Sequence, residues 1–290
     1  MQHPEPLAGT PGAELGEGPS WDAAEQCLTF VDIVGGRLHR WRYGAEHSST
    51  VEIGELVAAA VPRAGGGLLL ALTGHLVAAD LQGNLGRRCA VETGVPGNRL
   101  NDAKCDPAGR LYVGSMAGTD RPGAAALYRL DPDWQVSTVL TGTTISNGLG
   151  WSPDGSRMYF ADSGAQCVYA FDYDVSSGLA TGQRVLCALE PDQGAPDGLT
   201  VDAEGYLWVA TFGGGSVRRF APDGTPDGML PLPVRNVTSC TFGGPELDEL
   251  FITTAAIELS EAERAEQPDA GRVFHYRPGV RGLPLTPFAG

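Results

Sequence analysis

One unit returns along almost the whole chain: an apolar strand, a tight turn and a second apolar strand. The clearest copy runs from Gly194 to Phe212. Leu199 and Val201, then Leu207, Val209 and Thr211, alternate as two short strands should. Between them, Asp202-Ala-Glu-Gly205 supplies an aspartate for the first corner of a turn and a glycine for a positive φ. Strong copies begin at Glu17, Asn101 and Asn147. Weaker ones span Ala58 to Leu72 and Cys240 to Thr253. The residue five places before each turn sets a common register: Glu17, Ala58, Asn101, Asn147, Asp197 and Cys240. Successive gaps are 41, 43, 46, 50 and 43 residues. A period of about 45 residues suits a four-stranded propeller blade. Six such blades fill the 290 residues. The expectation is an all-β, six-bladed β-propeller forming one domain over residues 1–290.

In a propeller the innermost strand of each blade lines a central channel, so residues in equivalent register form a ring. Here that ring reads Glu, Ala, Asn, Asn, Asp, Cys. Its oxygen donors, two carboxylates and two amides, suit a hard cation such as calcium, magnesium or manganese, with water completing the shell. A carboxylate beside such a cation can act as general base on water, and Asp197 is the candidate. All five histidines (3, 39, 47, 75 and 275) fall outside the register, and no GxSxG elbow occurs. Both facts argue against a serine triad.

Other stretches carry narrower expectations. Arg99 and Asn101 flank Leu100, so an extended backbone points both to one side. Residues 1–14 read as an arm or as an outer strand that closes the ring against the last blade. His39 reads as a partly exposed strand residue. Asn236-Val-Thr238 matches a glycosylation acceptor and reads as a loop. Ser260 and Glu263 have capping-box spacing and predict a short helical insertion. The segment from Gly114 to Gly123 reads as an irregular loop at the channel mouth.

A net charge of -15 disfavours nucleic acid and anionic membranes as partners. No apolar run approaches the length of a membrane span, and Met1-Gln-His-Pro lacks the basic start of a leader. A cytoplasmic protein, monomeric or weakly homo-oligomeric, is the expectation. The six cysteines show no CxxC spacing and read as small buried hydrophobes.

At several places the chain resembles the gluconolactonase, regucalcin and senescence-marker-protein family. The resemblance rests on Gly16-Glu-Gly-Pro-Ser-Trp21, Asn98-Arg-Leu-Asn-Asp102, Gly114-Ser-Met116, Ile145-Ser-Asn-Gly148, Pro196-Asp-Gly198, Asp202-Ala-Glu-Gly-Tyr-Leu-Trp-Val209, Thr238-Ser-Cys-Thr-Phe-Gly-Gly244 and Gln267-Pro-Asp-Ala-Gly271. These pieces span almost the full chain in order. The resemblance implies one divalent cation in the channel, calcium or else magnesium, manganese, zinc or iron. It implies metal ligation by Glu17, Asn147 and Asp197, with Asp197 also the catalytic base. It implies that Arg99 and Asn101 bind the hydroxyls or ester of a small-molecule sugar lactone, which the protein hydrolyses to the aldonic acid. Animal members carry acidic residues just after the segment matching Gly114-Ser-Met116. Here that place reads Ala117-Gly-Thr-Asp120, so the equivalent substrate contact is either missing or supplied by Asp120. The alternative is a calcium-binding regulatory protein with little turnover.

Overall fold

A computed structural model describes residues 3–118 and 121–290. Its strands form six antiparallel four-stranded sheets arranged in a ring, a six-bladed β-propeller. Blades 1 to 5 take their strands consecutively from 16–52, 57–90, 99–143, 146–188 and 195–231. Blade 6 takes three strands from 236–276, and Glu5–Pro6 adds the fourth, pairing with Phe274 and His275. The N-terminal segment thus closes the ring, as one of the two expectations for residues 1–14 had it. Closing the circle this way ties the first and last blades by backbone hydrogen bonds.

Burial follows strand order within each blade. The inner strands are almost wholly buried, as in Ser146–Trp151, whereas the outer strand Leu179–Ala188 is mostly exposed. Apolar residues of neighbouring blades interleave face to face. Tyr159, Leu199, Val201 and Val209, for example, pack between blades 4 and 5. Each fully buried leucine or aromatic side chain contributes roughly 1.5–3 kcal/mol.

Every inner strand carries a one-residue bulge near its start. In blade 5, Pro196 pairs with Thr211 and Leu199 with Val209, so Asp197 and Gly198 together face a single intervening residue. Bulges re-aim side chains and increase local twist. Here they turn residues at equivalent positions toward the axis. The glycines after the ring residues have a packing reason. A Cβ on Gly148 would lie 2.6 Å from the Asp197 carbonyl oxygen, and one on Gly198 would lie 2.0 Å from Ser239 Oγ. Asn147-Gly148 is accordingly no hairpin turn but part of an inner strand.

The opposite end of the channel, where the inner strands turn into the second strands, is crossed by residues 281–290. Ala203 N–H donates to the Arg281 carbonyl at 2.8 Å, Gly282 N–H to Leu247 at 2.8 Å, Phe288 N–H to Pro62 at 2.8 Å and Ala289 N–H to Gly109 at 3.0 Å. This tail therefore strings together the turns of blades 5, 6, 2 and 3. The expected helix is present as Glu261–Glu266, with Ser260 and Glu263 in a reciprocal capping box. All six cysteines are free.

Two local expectations are corrected. His39 is buried, its ring 4.9 Å from that of Phe30 and its Nδ1 2.9 Å from Thr50 Oγ1. Thr50, on the neighbouring strand, partners Nδ1, while Nε2 is buried with no partner among the described residues. Asn236 and Thr238 are buried in the inner strand of blade 6, not in a loop.

Candidate functional site

The bulged starts of the inner strands bring Glu17, Asn101, Asn147 and Asp197 around one cavity of about 260 Å³, with Arg99 on its wall. All four ring residues are buried. Register alone placed them, because in blades 1, 3, 4 and 5 the bulge falls at or just after the ring residue. Ala58 takes the blade 2 position. In blade 6 the register fails. The inner strand Asn236–Gly243 is eight residues long, and its bulge falls at Thr238, two places before Cys240. Thr238 Oγ1 donates to the Gly16 carbonyl at 2.6 Å and lies 2.9 Å from the Thr253 hydroxyl, so it serves packing between blades 6 and 1. Cys240 lies deeper, with its sulfur 3.4 Å from the Trp208 carbonyl, and burial raises its thiol to about 12.

Hydrogen bonds hold the ring residues in place. Arg99 Nη1 donates to Asn101 Oδ1 at 2.7 Å, which bears out the same-side reading of that pair. Asn101 Nδ2 donates to Asn147 Oδ1 at 2.8 Å and to the Ser146 carbonyl at 3.0 Å. Asn147 Nδ2 donates to Ser163 Oγ at 2.8 Å, and Ser163 Oγ donates to the Pro196 carbonyl at 2.6 Å. Each amide thus has its NH₂ committed to protein, which orients its oxygen. Glu17 Oε2 accepts from Gly18 N–H at 3.0 Å. Asp197 Oδ1 is buried without a partner among the described residues.

The electrostatics are strained in one direction. Burial, then the charge of Asp102, pushes Glu17 up to about 8. Burial, then the charges of Glu17 and Asp102, holds Asp197 well above the usual carboxylate range. Arg99 opposes both shifts weakly, and burial lowers its own pKa. Carboxylates gathered without enough positive charge are what a cation site looks like to its own side chains. No set of three His, Cys, Asp or Glu side chains among the described residues forms a metal cluster. The donor set is instead mixed: two carboxylates and an amide oxygen. Together with the orphaned Asp197 oxygen, it fits a hard divalent cation.

Two residues of this channel gave no signal in the repeat register. Asp102 sits in the bulge beside Asn101, and its own backbone neighbour Ala103 donates to it at 2.7 Å. Lys104 reaches across the channel from blade 3 to blade 5, where Nζ donates to the Leu199 carbonyl at 2.7 Å. Burial lowers the Lys104 pKa and raises that of Asp102, each opposing charge partly offsetting the other's shift. The available signal was compositional: a lysine stands where the other strong copies have Ser20, Gly150 and Thr200. Asp120 lies outside the described residues. A further cavity, of about 510 Å³, runs along Arg63, Asp80 and Arg87 on blade 2, away from the ring.

No helix among the described residues is long and apolar enough to cross a membrane. Residues 15–256 match the model of the SMP-30/Gluconolactonase/LRE-like region. The chain is 38% identical over 281 residues to regucalcin of Danio rerio, covering 96% of this chain and 95% of that one. It is 37% identical over 276 residues to the pentonolactonase XacC of Haloferax volcanii, covering 93% of each. The crystal structure of a calcium-binding protein, regucalcin from Agrobacterium tumefaciens, superposes with a TM-score of 0.91 at 26% identity, over 98% of this chain and all of that one. The ring of four polar residues is thus set in a fold and a sequence shared with these relatives, and the chain belongs to the SMP-30/gluconolactonase/LRE-like family.

Proposed function

We propose that this protein hydrolyses a sugar lactone to its aldonic acid, with a divalent cation held by Glu17, Asn147 and Asp197. The observation that carries the reading is the convergence of two buried, mutually repelling carboxylates and an oriented amide oxygen on one small cavity walled by Arg99. Relatives that include a named pentonolactonase support a lactone as substrate.

When bound, the cation supplies Lewis-acid stabilisation of negative charge developing on the ester carbonyl oxygen. The protein supplies the rest. Asp197, with Oδ1 uncommitted to any protein donor, takes a proton from the water that attacks the carbonyl carbon. The ring C–O bond breaks as Asp197 returns that proton to the ring oxygen, which leaves as a hydroxyl, and the open-chain acid releases its carboxyl proton to solvent at neutral pH. Arg99, held by Asn101 and the Leu100 carbonyl through Nη1, presents its other N–H groups to the substrate oxygens. Burial of the ring strengthens each of these interactions relative to water.

The test is proton release on adding D-glucono-1,5-lactone or D-xylonolactone to metal-stripped protein, then after adding back calcium, magnesium, manganese, zinc or iron(II). Rates above spontaneous hydrolysis that depend on a cation support the reading. Rates at background with every cation, despite saturable binding of calcium, favour the second reading, a calcium-binding protein. The all-oxygen donor set and the calcium-binding structural relative speak for that alternative.

A further inference from the structure

We infer that Glu258 selects for hydroxylated lactones, its carboxylate accepting hydrogen bonds from ring hydroxyls remote from the ester. The inference rests on the lactonase reading and assigns a specificity role within the same cavity. Glu258 lines that cavity together with Glu17, Arg99 and Asp197, but from an exposed position at the rim.

The polar groups of the cavity leave a gap that Glu258 fills. Arg99 only donates. Both amide oxygens already accept, from Arg99 and Asn101, and Ser163 is committed on both sides. Glu17 and Asp197 are the carboxylates of the buried ring itself. Much of the remaining wall is apolar: Ile33, Met116, Ile145, Phe212 and Ile257. A lactone hydroxyl away from the ring residues needs an acceptor for its proton. Among the described residues, Glu258 is the lining carboxylate outside the ring, and it makes no hydrogen bond or ion pair there.

The backbone supplies an independent observation. Glu258 sits at φ +62°, a left-handed conformation that glycine adopts without cost. A non-glycine residue there costs on the order of 1 kcal/mol. The turn is over-determined on both sides. Ala256 N–H and Ile257 N–H both donate to the Glu14 carbonyl, at 3.0 and 2.9 Å, while Leu259 is buried and Ser260 caps the following helix. The chain therefore carries a strained glutamate, with no partner among the described residues, at the mouth of its polar cavity. A structural role at this turn would be better served by glycine.

The experiment compares cation-loaded full-length protein with Glu258→Gln and Glu258→Gly. It measures kcat/KM on D-glucono-1,5-lactone and on δ-valerolactone, the same ring without hydroxyls. Calorimetry gives the Kd of 1,5-anhydro-D-glucitol, a hydroxylated ring that cannot be hydrolysed. We expect kcat/KM on the hydroxylated lactone to fall about tenfold in both variants, through KM, with δ-valerolactone changed by less than about twofold. The anhydroglucitol Kd weakens by a similar factor. The glycine variant melts no lower than the parent, which separates the effect from misfolding. Equal changes on both lactones, or none, overturn the inference while lactonase activity stands. If the parent binds anhydroglucitol but hydrolyses no lactone, the lactonase reading fails, and the Kd comparison decides whether Glu258 holds hydroxyls. Absence of both binding and turnover in the parent overturns both.

Discussion

The two ends of the central channel are built from the same six inner strands, and they differ in almost everything else. At the ring end the strands are bulged, and four polar side chains with two raised carboxyl pKa values surround a cavity of about 260 Å³. At the turn end the pairing is regular, and residues 281–290 lie across the opening, with Leu283 and Leu285 lining a second cavity of about 280 Å³. Lys104 lines both that cavity and the small void above it, between the two ends. The contrast locates stability and chemistry at opposite ends. One end is sealed by apolar packing and backbone hydrogen bonds. The other stores unfavourable electrostatics that the rest of the fold must offset.

The largest expected effect tests the sealed end. Phe288 is fully buried and meets Trp134 edge-on, ring centroids 5.8 Å apart. Phe288→Ala should lower the unfolding free energy by about 3–5 kcal/mol in a denaturant titration. Activity per folded molecule should be unchanged. A loss of activity without a loss of stability would break the separation of the two ends.

Lys104→Met comes next, because it acts where the ends meet. Removing the lysine leaves Asp102 buried without its counter-charge, a cost of about 3 kcal/mol. Adding Asp102→Asn should recover most of that loss, so the double-mutant cycle shows strong coupling. Additive losses would mean that Lys104 acts only through its hydrogen bond to Leu199.

The smallest effect sharpens the ring end. Glu17 and Asp197 are more basic in the folded chain than in the unfolded one. The folded, metal-free protein therefore holds extra protons between the ordinary glutamate value of 4.5 and about 8. By linkage its stability falls as pH rises through that window. Its Tm should drop by at least about 3 °C from pH 5 to pH 8. A bound divalent cation should reverse the trend, with a Tm increment that grows over the same range. A metal-free Tm that rises with pH would contradict the electrostatic picture.

How much of this was legible beforehand follows from what repeats. The blade count and Glu17, Asn101, Asn147 and Asp197 were readable because the inner strands of blades 1, 3, 4 and 5 keep nearly the same distance between bulge and turn. Blade 6 broke that distance by lengthening its strand, which is why Cys240 was misplaced and Thr238 overlooked. Asp102 and Lys104 were hidden because a bulge puts two successive residues toward the axis, which strict alternation cannot show. His39 was misjudged because its partner, Thr50, lies on the neighbouring strand. Glu258 gave no sign at all, since a left-handed φ on a glutamate has no sequence signature.

The most direct measurement compares the cation-loaded protein with Asp197→Asn, following proton release from D-glucono-1,5-lactone above spontaneous hydrolysis. The substitution keeps the shape of the side chain, removes a buried charge and abolishes its use as a base. The account predicts a loss of about 10²–10⁴-fold in kcat, with the folded state at least as stable as the parent when metal-free. A variant that retains the parental rate would contradict it and move the chemistry away from this ring.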